Sequence, residues 1–183
     1  PQPYSIHPSG QNMSIKAGDR LPEATLREFY DVEGNGCSLG PNAFKVSDLV
    51  KGKKIVIFGL PGAFTPTCNM NHLPGFLLAH DDIKAKGVDA IACTAVNDVH
   101  VMAAWGKASG VPDGLQMVSD GNADLTRALG LEMDASGYGM GVRASRSSSV
   151  YVQSSTYEAS TDILNIESEG ALDPWKALTV RRG

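Results

Sequence analysis

Three short apolar runs, each followed by a stretch with helical spacing, predict an α/β fold: a central mixed β-sheet with helices packed on both faces. The runs are KKIVIFGL (53–60), VDAIACTAV (88–96) and LQMVSD (115–120). The first is rich in β-branched residues and continuously apolar, the pattern of a central strand buried on both sides. Size agrees with this: 183 residues, 42% hydrophobic and 20% charged, suffice for one domain with a sizeable core and no covalent staples.

Each element follows from local chemistry. Gly52 precedes the first run and Pro61-Gly62 ends it, which delimits a buried central strand. The helix after it takes Thr65 as N-cap and Pro66 as its first residue, where a missing N–H costs nothing. Leu73, Phe76, Leu77 and Ile83 supply its apolar stripe, Pro74 is expected to kink it, and Gly87 closes it. Asn97 or Asp98 caps the next helix, which carries Val101, Met102 and Trp105, and the third run leads into a helix over 123–129. Farther on, SSSVYVQ alternates, with Val150 and Val152 on one face and Ser149, Tyr151 and Gln153 on the other, as in a half-buried strand. A further strand is expected through Ile163, Leu164 and Ile166. With no long helix between them, these late strands predict an antiparallel edge. DPWKAL (173–178) reads as a final short helix.

Charge and composition exclude several functions. The 16 Lys and Arg against 20 Asp and Glu give a net charge of -4, and the basic residues are scattered, so no nucleic-acid footprint is present. The apolar runs fall short of the roughly 18 residues a bilayer span requires, so no membrane partner is expected. PQPYSIHPSGQN has neither the basic nor the apolar region of a secretory signal. Residues 1–12 are read as a disordered extension or expression remnant ahead of a single domain over 13–183, and a reducing cytoplasm is the expected location. Three cysteines, Cys37, Cys68 and Cys93, are too few for a disulfide framework. His7, His80 and His100 lack metal-ligand spacing, so neither a metal nor a cofactor is expected. GYGMG (137–141) does not follow a strand and open a helix as a phosphate cradle would, and reads as a flexible turn.

The informative segment is PGAFTPTC (61–68), where the first strand hands over to its helix, the place where open α/β sheets build their sites. Cys68 falls in the helix's first turn, where unpaired N–H groups and the positive end of the macrodipole favour a thiolate, the nucleophilic form. Thr65 can cap the helix and place its hydroxyl in the same pocket. Cys93, inside an apolar strand, and Cys37, after a glycine-rich turn, read as inert.

PGAFTPTC closely resembles the active-site signature of the peroxiredoxins, and GKKIVIFGLPGAFTPTCNMNHLPGF is similar to the branch that contains plant type II peroxiredoxins and mammalian peroxiredoxin five. ACTAVNDVHVMAAWGK (92–107) and GLEMDASGYGMGVRASR (130–146) extend the resemblance over about residues 13–153. It implies a thioredoxin-like fold, an antioxidant thiol peroxidase and a homodimer. Carried onto this chain, it makes Cys68 the peroxidatic cysteine, oxidised to a sulfenic acid. Thr65 becomes the peroxide's hydrogen-bonding partner, Pro61 the wall that limits water, and Arg146 the fixed cation at the reacting oxygens. Arg143 matches a preceding basic position and is a candidate supporting residue. Two positions depart from the branch: Ser147 replaces a bulky aromatic after the arginine, and Asn69 replaces a serine.

His72 lies four residues after Cys68 and is expected on the same helical face, supporting the pocket wall. Its pairing with Cys68 admits a cysteine hydrolase as a distant alternative, and a redox sensor signalling through oxidised Cys68 is a nearer one. A thioredoxin-type exchange would need C-x-x-C, which Thr65-Pro66-Thr67-Cys68 is not. No cysteine follows Cys93, so the C-terminal resolving route of the mammalian members is absent. The expectation is a one-cysteine cycle in which glutathione, glutaredoxin or thioredoxin reduces Cys68, with Cys37 the alternative resolving thiol.

Overall fold

The computed structural model describes residues 21–29, 41–145, 149–153 and 164–165. In chain order it contains β1 (Thr25–Phe29), β2 (Pro41–Lys45), α1 (Val46–Val50), β3 (Lys54–Leu60), a π-helical turn (Cys68–His72), α2 (Leu73–Leu78), α3 (His80–Ala85), β4 (Ala90–Ala95) and α4 (Val99–Ala108). It continues with β5 (Leu115–Ser119), α5 (Asp124–Ala128), β6 (Glu132–Asp134), a 3₁₀ turn (Ser136–Tyr138), β7 (Val142–Ala144), β8 (Ser149–Gln153) and β9 (Leu164–Asn165). Residues 1–12, Cys37, Arg146, Ser147 and the expected helix at 173–178 lie outside the described residues.

Strand β3 sets the layering. Its side chains alternate between two cores: Val56, Phe58 and Leu60 join one cluster, Ile55 and Ile57 the other. The first cluster takes in Cys68, Leu73, Phe76, Ile83, Met102 and Trp105, so the Cys68 segment, α2, α3 and α4 cover that face. Val46, Leu49, Leu125 and Leu129 belong to the second, so α1 and α5 cover the opposite face. Burial on both sides is the reason the strand sequences are continuously apolar. Phe58 and Phe76 stack across the interface with ring centroids 3.6 Å apart. The connections β3 to β4 and β4 to β5 step in the same direction between parallel neighbours, and crossovers of one hand then place their helices on one face.

The seven-stranded sheet has the order β2-β1-β5-β4-β3-β8-β9. Its parallel centre, β5-β4-β3, is flanked by antiparallel pairs on both sides, with β8 against β3 and β9 against β8 at one edge. The sequence predicts that edge and misses the other, where β1 lies antiparallel to β5 and β2 to β1. TLREF and PNAFK are short and carry charged or polar residues on their outward positions, so neither has the apolar density of a central strand.

Two helix readings are sharpened. Asp98, not Asn97, caps α4, accepting from the His100 and Val101 N–H groups at 2.9 and 3.0 Å. Instead of a simple kink at Pro74, the backbone widens just before it: the Leu73 N–H donates to the Cys68 carbonyl five residues back, a π-helical bond. Pro74 has no N–H to give Met70, and its ring crowds that carbonyl, so the turn ahead of it opens. GYGMG is a turn, as expected. It lies within the connection of a β6–β7 hairpin, with the 3₁₀ turn before Gly139 and Gly141, both at left-handed φ.

Candidate active site

Leu60 pairs with Ala95 at the carboxyl end of the parallel strands, so the loop after β3 and the loop after β4 emerge side by side. The first loop is Pro61–Pro66 in sequence, and its shape is fixed by three contacts. The Thr65 hydroxyl donates to the Gly62 carbonyl at 2.8 Å, closing a tight turn. The Ala63 N–H donates to Asn97 Oδ1 at 2.9 Å. Arg143, from β7, donates through Nε to the Met140 carbonyl at 2.9 Å and reaches the Pro61 carbonyl with Nη1 at 3.5 Å. Between these contacts Phe64 adopts φ 60, a left-handed conformation costly for a bulky residue and held only where the surroundings over-determine it.

Gly62 is where the groups converge. A methyl group there would lie 3.0 Å from Arg143 Nη1, 3.2 Å from Thr65 Cγ2 and 3.5 Å from Asn97 Oδ1. A side chain here would crowd the arginine and the threonine, and glycine lets both close on the loop without shifting.

Helical structure starts at Pro66, and Thr65 occupies the N-cap position as expected, its carbonyl accepting from the Asn69 N–H at 2.8 Å. Its side chain differs from expectation: the hydroxyl donates back to the Gly62 carbonyl across the tight turn. The hydroxyl oxygen keeps lone pairs with which to accept a hydrogen bond from a peroxide. Cys68 opens the π-helical turn and is only 1% exposed, so any substrate that reaches its sulfur must be small or present a slender reactive end. Pro61, at the start of the loop, is buried. His72 is half-buried at the end of the same turn, four residues after Cys68.

Two features that sequence reasoning passed over support this turn. The Trp105 indole N–H, on α4 and fully buried, donates to Asn69 Oδ1 at 2.7 Å. Asn69, a departure from the branch's serine, thus ties the nucleophile's turn to α4. The Phe64 ring leans over the same indole at 6.3 Å. Asn97 was read only as a possible cap. The signal for its second role was its place at the carboxyl end of β4, beside the end of β3.

Cys93 lies beneath the site, 0% exposed, in the same core cluster as Cys68. Burial pushes its thiol well above the usual range, and the neighbouring Cys68 adds in the same direction. A neutral buried thiol is a poor nucleophile, which agrees with the inert reading. Arg146 and Ser147 lie outside the described residues; of the two candidate arginines, Arg143 is the described one, and it lies against the loop. Among the described residues, no group of three or more metal-binding side chains occurs, and no helix is long and apolar enough to cross a membrane.

A parallel sheet core with a buried cysteine at the start of the helix after its central strand is the site plan of a thioredoxin-fold thiol enzyme. The profile of the Redoxin family matches residues 16–153, and the chain belongs to that family. Within it the chain is a peroxiredoxin, a thiol-dependent peroxidase related to the plant type II enzymes. It is 44% identical over 161 residues to the chloroplastic peroxiredoxin-2E-2 of Oryza sativa subsp. japonica, covering 86% of this chain and 67% of that protein. With the chloroplastic peroxiredoxin-2E of Arabidopsis thaliana it shares 39% identity over 160 residues, 86% of this chain and 64% of that protein. The chain therefore spans about two thirds of the length of these relatives. The crystal structure of reduced Prx3 from Vibrio vulnificus in complex with H2O2 superposes with a TM-score of 0.71 at 40% identity, covering 86% of this chain and 90% of that one.

Proposed function

We propose that Cys68 carries the peroxidase chemistry. Its thiolate attacks one oxygen of hydrogen peroxide or an alkyl hydroperoxide, the O–O bond breaks, and water or an alcohol leaves as Cys68 becomes a sulfenic acid. Thr65 accepts a hydrogen bond from the substrate, and Pro61 limits water. Arg146, by resemblance, supplies the cation at the reacting oxygens, with Arg143 bracing the loop and His72 the pocket wall. An external thiol then attacks the sulfenic sulfur, releasing water and forming a mixed disulfide, and a second thiol frees Cys68.

Glutathione with glutaredoxin, or thioredoxin, is the proposed donor, because the described partner thiol, Cys93, is buried and held neutral. The proposal includes a homodimer and a reducing, cytoplasmic setting, both resting on the resemblance and on the need for a thiol supply. The observation that carries the reading is the convergence of Thr65, Arg143 and Asn97 on the loop that delivers Cys68 to the carboxyl end of the sheet. Peroxide consumption is to be measured with each donor system in turn: Cys68→Ser should abolish turnover with all of them. Full turnover by that variant would overturn the assignment.

A further inference from the structure

The loop that carries the reacting groups is held from outside itself, and the holding residue is on the next strand's loop. Asn97 Oδ1 accepts the Ala63 N–H at 2.9 Å, one residue before the left-handed Phe64. Asn97 is itself fixed: its backbone carbonyl accepts the Ser119 hydroxyl at 2.6 Å, and Ser119, at the end of β5, is 4% exposed. The following residue, Asp98, caps α4 through its side chain, and the Asp120 N–H donates to the Ala95 carbonyl at 3.0 Å, so hydrogen bonds hold the chain on both sides of Asn97. The ends of β3, β4 and β5 are thus joined by a relay running from Ser119 through Asn97 to Ala63.

We infer that Asn97 is a positioning residue for the peroxide step, acting through the Ala63 N–H to hold Phe64 in its strained conformation and so to keep Thr65 and Cys68 facing one pocket. A left-handed phenylalanine persists only while its neighbours enforce it. The Ala63 N–H bond is the main-chain hydrogen bond nearest to it that is made to a residue outside the loop. If that bond is lost, the loop relaxes toward ordinary φ, the Gly62–Thr65 turn loosens, and the reacting groups lose their register. Small misplacements of reacting groups cost large factors in rate. The inference rests on Cys68 as the nucleophile. It adds a residue that touches neither peroxide nor sulfur.

The test separates the two half-reactions. In Asn97→Leu, which keeps side-chain bulk and removes the acceptor, the second-order rate of Cys68 oxidation by hydrogen peroxide should fall about 10-fold or more. The rate at which a reducing thiol regenerates preformed Cys68 sulfenic acid should change less than about 3-fold, since that step needs no peroxide register. Asn97→Asp restores an acceptor for the Ala63 N–H. Its peroxide rate at the high-pH plateau, where the thiolate is fully formed, should return to within about 3-fold of the parent, while its pH profile moves upward because the new charge opposes the thiolate.

Ser119→Ala, which frees the main chain of Asn97, should lower the peroxide rate in the same direction by a smaller factor. It serves as the reading if Asn97→Leu does not fold. An unchanged peroxide rate in folded Asn97→Leu, or in Ser119→Ala where that variant is the reading, would overturn the inference. So would equal loss in both half-reactions, or failure of Asn97→Asp to recover the plateau. Cys68→Ser in the same assay keeps the underlying reading separate: if it still reduces peroxide, the nucleophile is wrong, and if it is inactive while Asn97→Leu keeps the parent's peroxide rate, only the role of Asn97 falls.

Discussion

An exposed residue beside the nucleophile should behave, energetically, like a buried one. Asn69 is exposed, yet its Oδ1 is the acceptor for the indole N–H of Trp105, which is 0% exposed, at 2.7 Å. The two deletions are therefore unequal. Trp105→Phe removes the donor and leaves a carboxamide oxygen that water can reach, so the lost hydrogen bond costs about 1 kcal/mol. The smaller ring adds on the order of 1–2 kcal/mol for the space it leaves in the core. Asn69→Ala removes the acceptor from a buried donor, and leaving such a group unsatisfied costs about 1–3 kcal/mol. An ordinary surface substitution stays within about 0.5 kcal/mol. Urea unfolding of the parent, both single variants and the double variant should give about 2–3 kcal/mol for Trp105→Phe, more than 1 kcal/mol for Asn69→Ala, and a coupling of about 1 kcal/mol between them. Loss of less than about 0.5 kcal/mol in Asn69→Ala, with no coupling, would refute the reasoning and reduce Asn69 to a surface replacement of the branch's serine.

Two further outcomes follow from titrating groups. Glu28 on β1 is pushed above the usual carboxylate range by burial, against the opposing hydrogen bond from Gln116 Nε2 at 2.9 Å and the charge of Lys53. A folded-state pKa above the unfolded one means that its stabilising share is fully present below the unfolded pKa of about 4.3 and is lost as pH rises through the folded value. Glu28→Gln keeps an oxygen for Gln116 and removes the buried charge, so its melting temperature should exceed the parent's at pH 7, with the gain vanishing near pH 4; a gain that is equal at both pH values would contradict the burial argument. Cys93 should resist iodoacetamide in the native protein at pH 8 and react only after denaturation, read by mass spectrometry of the peptide containing it. Its raised pKa also means that its stabilising share, present below the unfolded thiol value near 8.5, is lost as pH rises toward the folded value, so Cys93→Ala should lose less stability than the parent above pH 9.

What could be read from the sequence was whatever one segment carries by itself. The continuous apolarity of β3 announced a buried central strand, the succession of strands and helices announced a doubly covered sheet, and proline, threonine and cysteine within PGAFTPTC announced a strand-to-helix site. Asp98 is one of the two caps the sequence offers for α4. The antiparallel strands β1 and β2 stayed hidden because five-residue segments at a sheet edge need little apolar density, and their partners are chosen by tertiary pairing. The β6–β7 hairpin stayed hidden for a similar reason: its three-residue strands are shorter than any periodicity can register.

The contacts that shape the site are hidden in a different way. Ala63 and Asn97 are 34 residues apart, Asn69 and Trp105 are 36 apart, and Pro61 and Arg143 are 82 apart. Each pair joins residues that are unremarkable in their own segments: a second residue in a turn, a helix tryptophan, a hairpin arginine. Their meaning appears only when parallel strands bring their carboxyl ends together, which is also what gives the fold its use. The motif supplies a nucleophile and a turn that is strained at Phe64, and a turn of that kind does not hold itself. It is held by Asn97 from the loop after β4 and by Arg143 from β7, with Trp105 of α4 steadying the helix it leads into, so the chemistry of eight consecutive residues, 61–68, depends on three elements outside them.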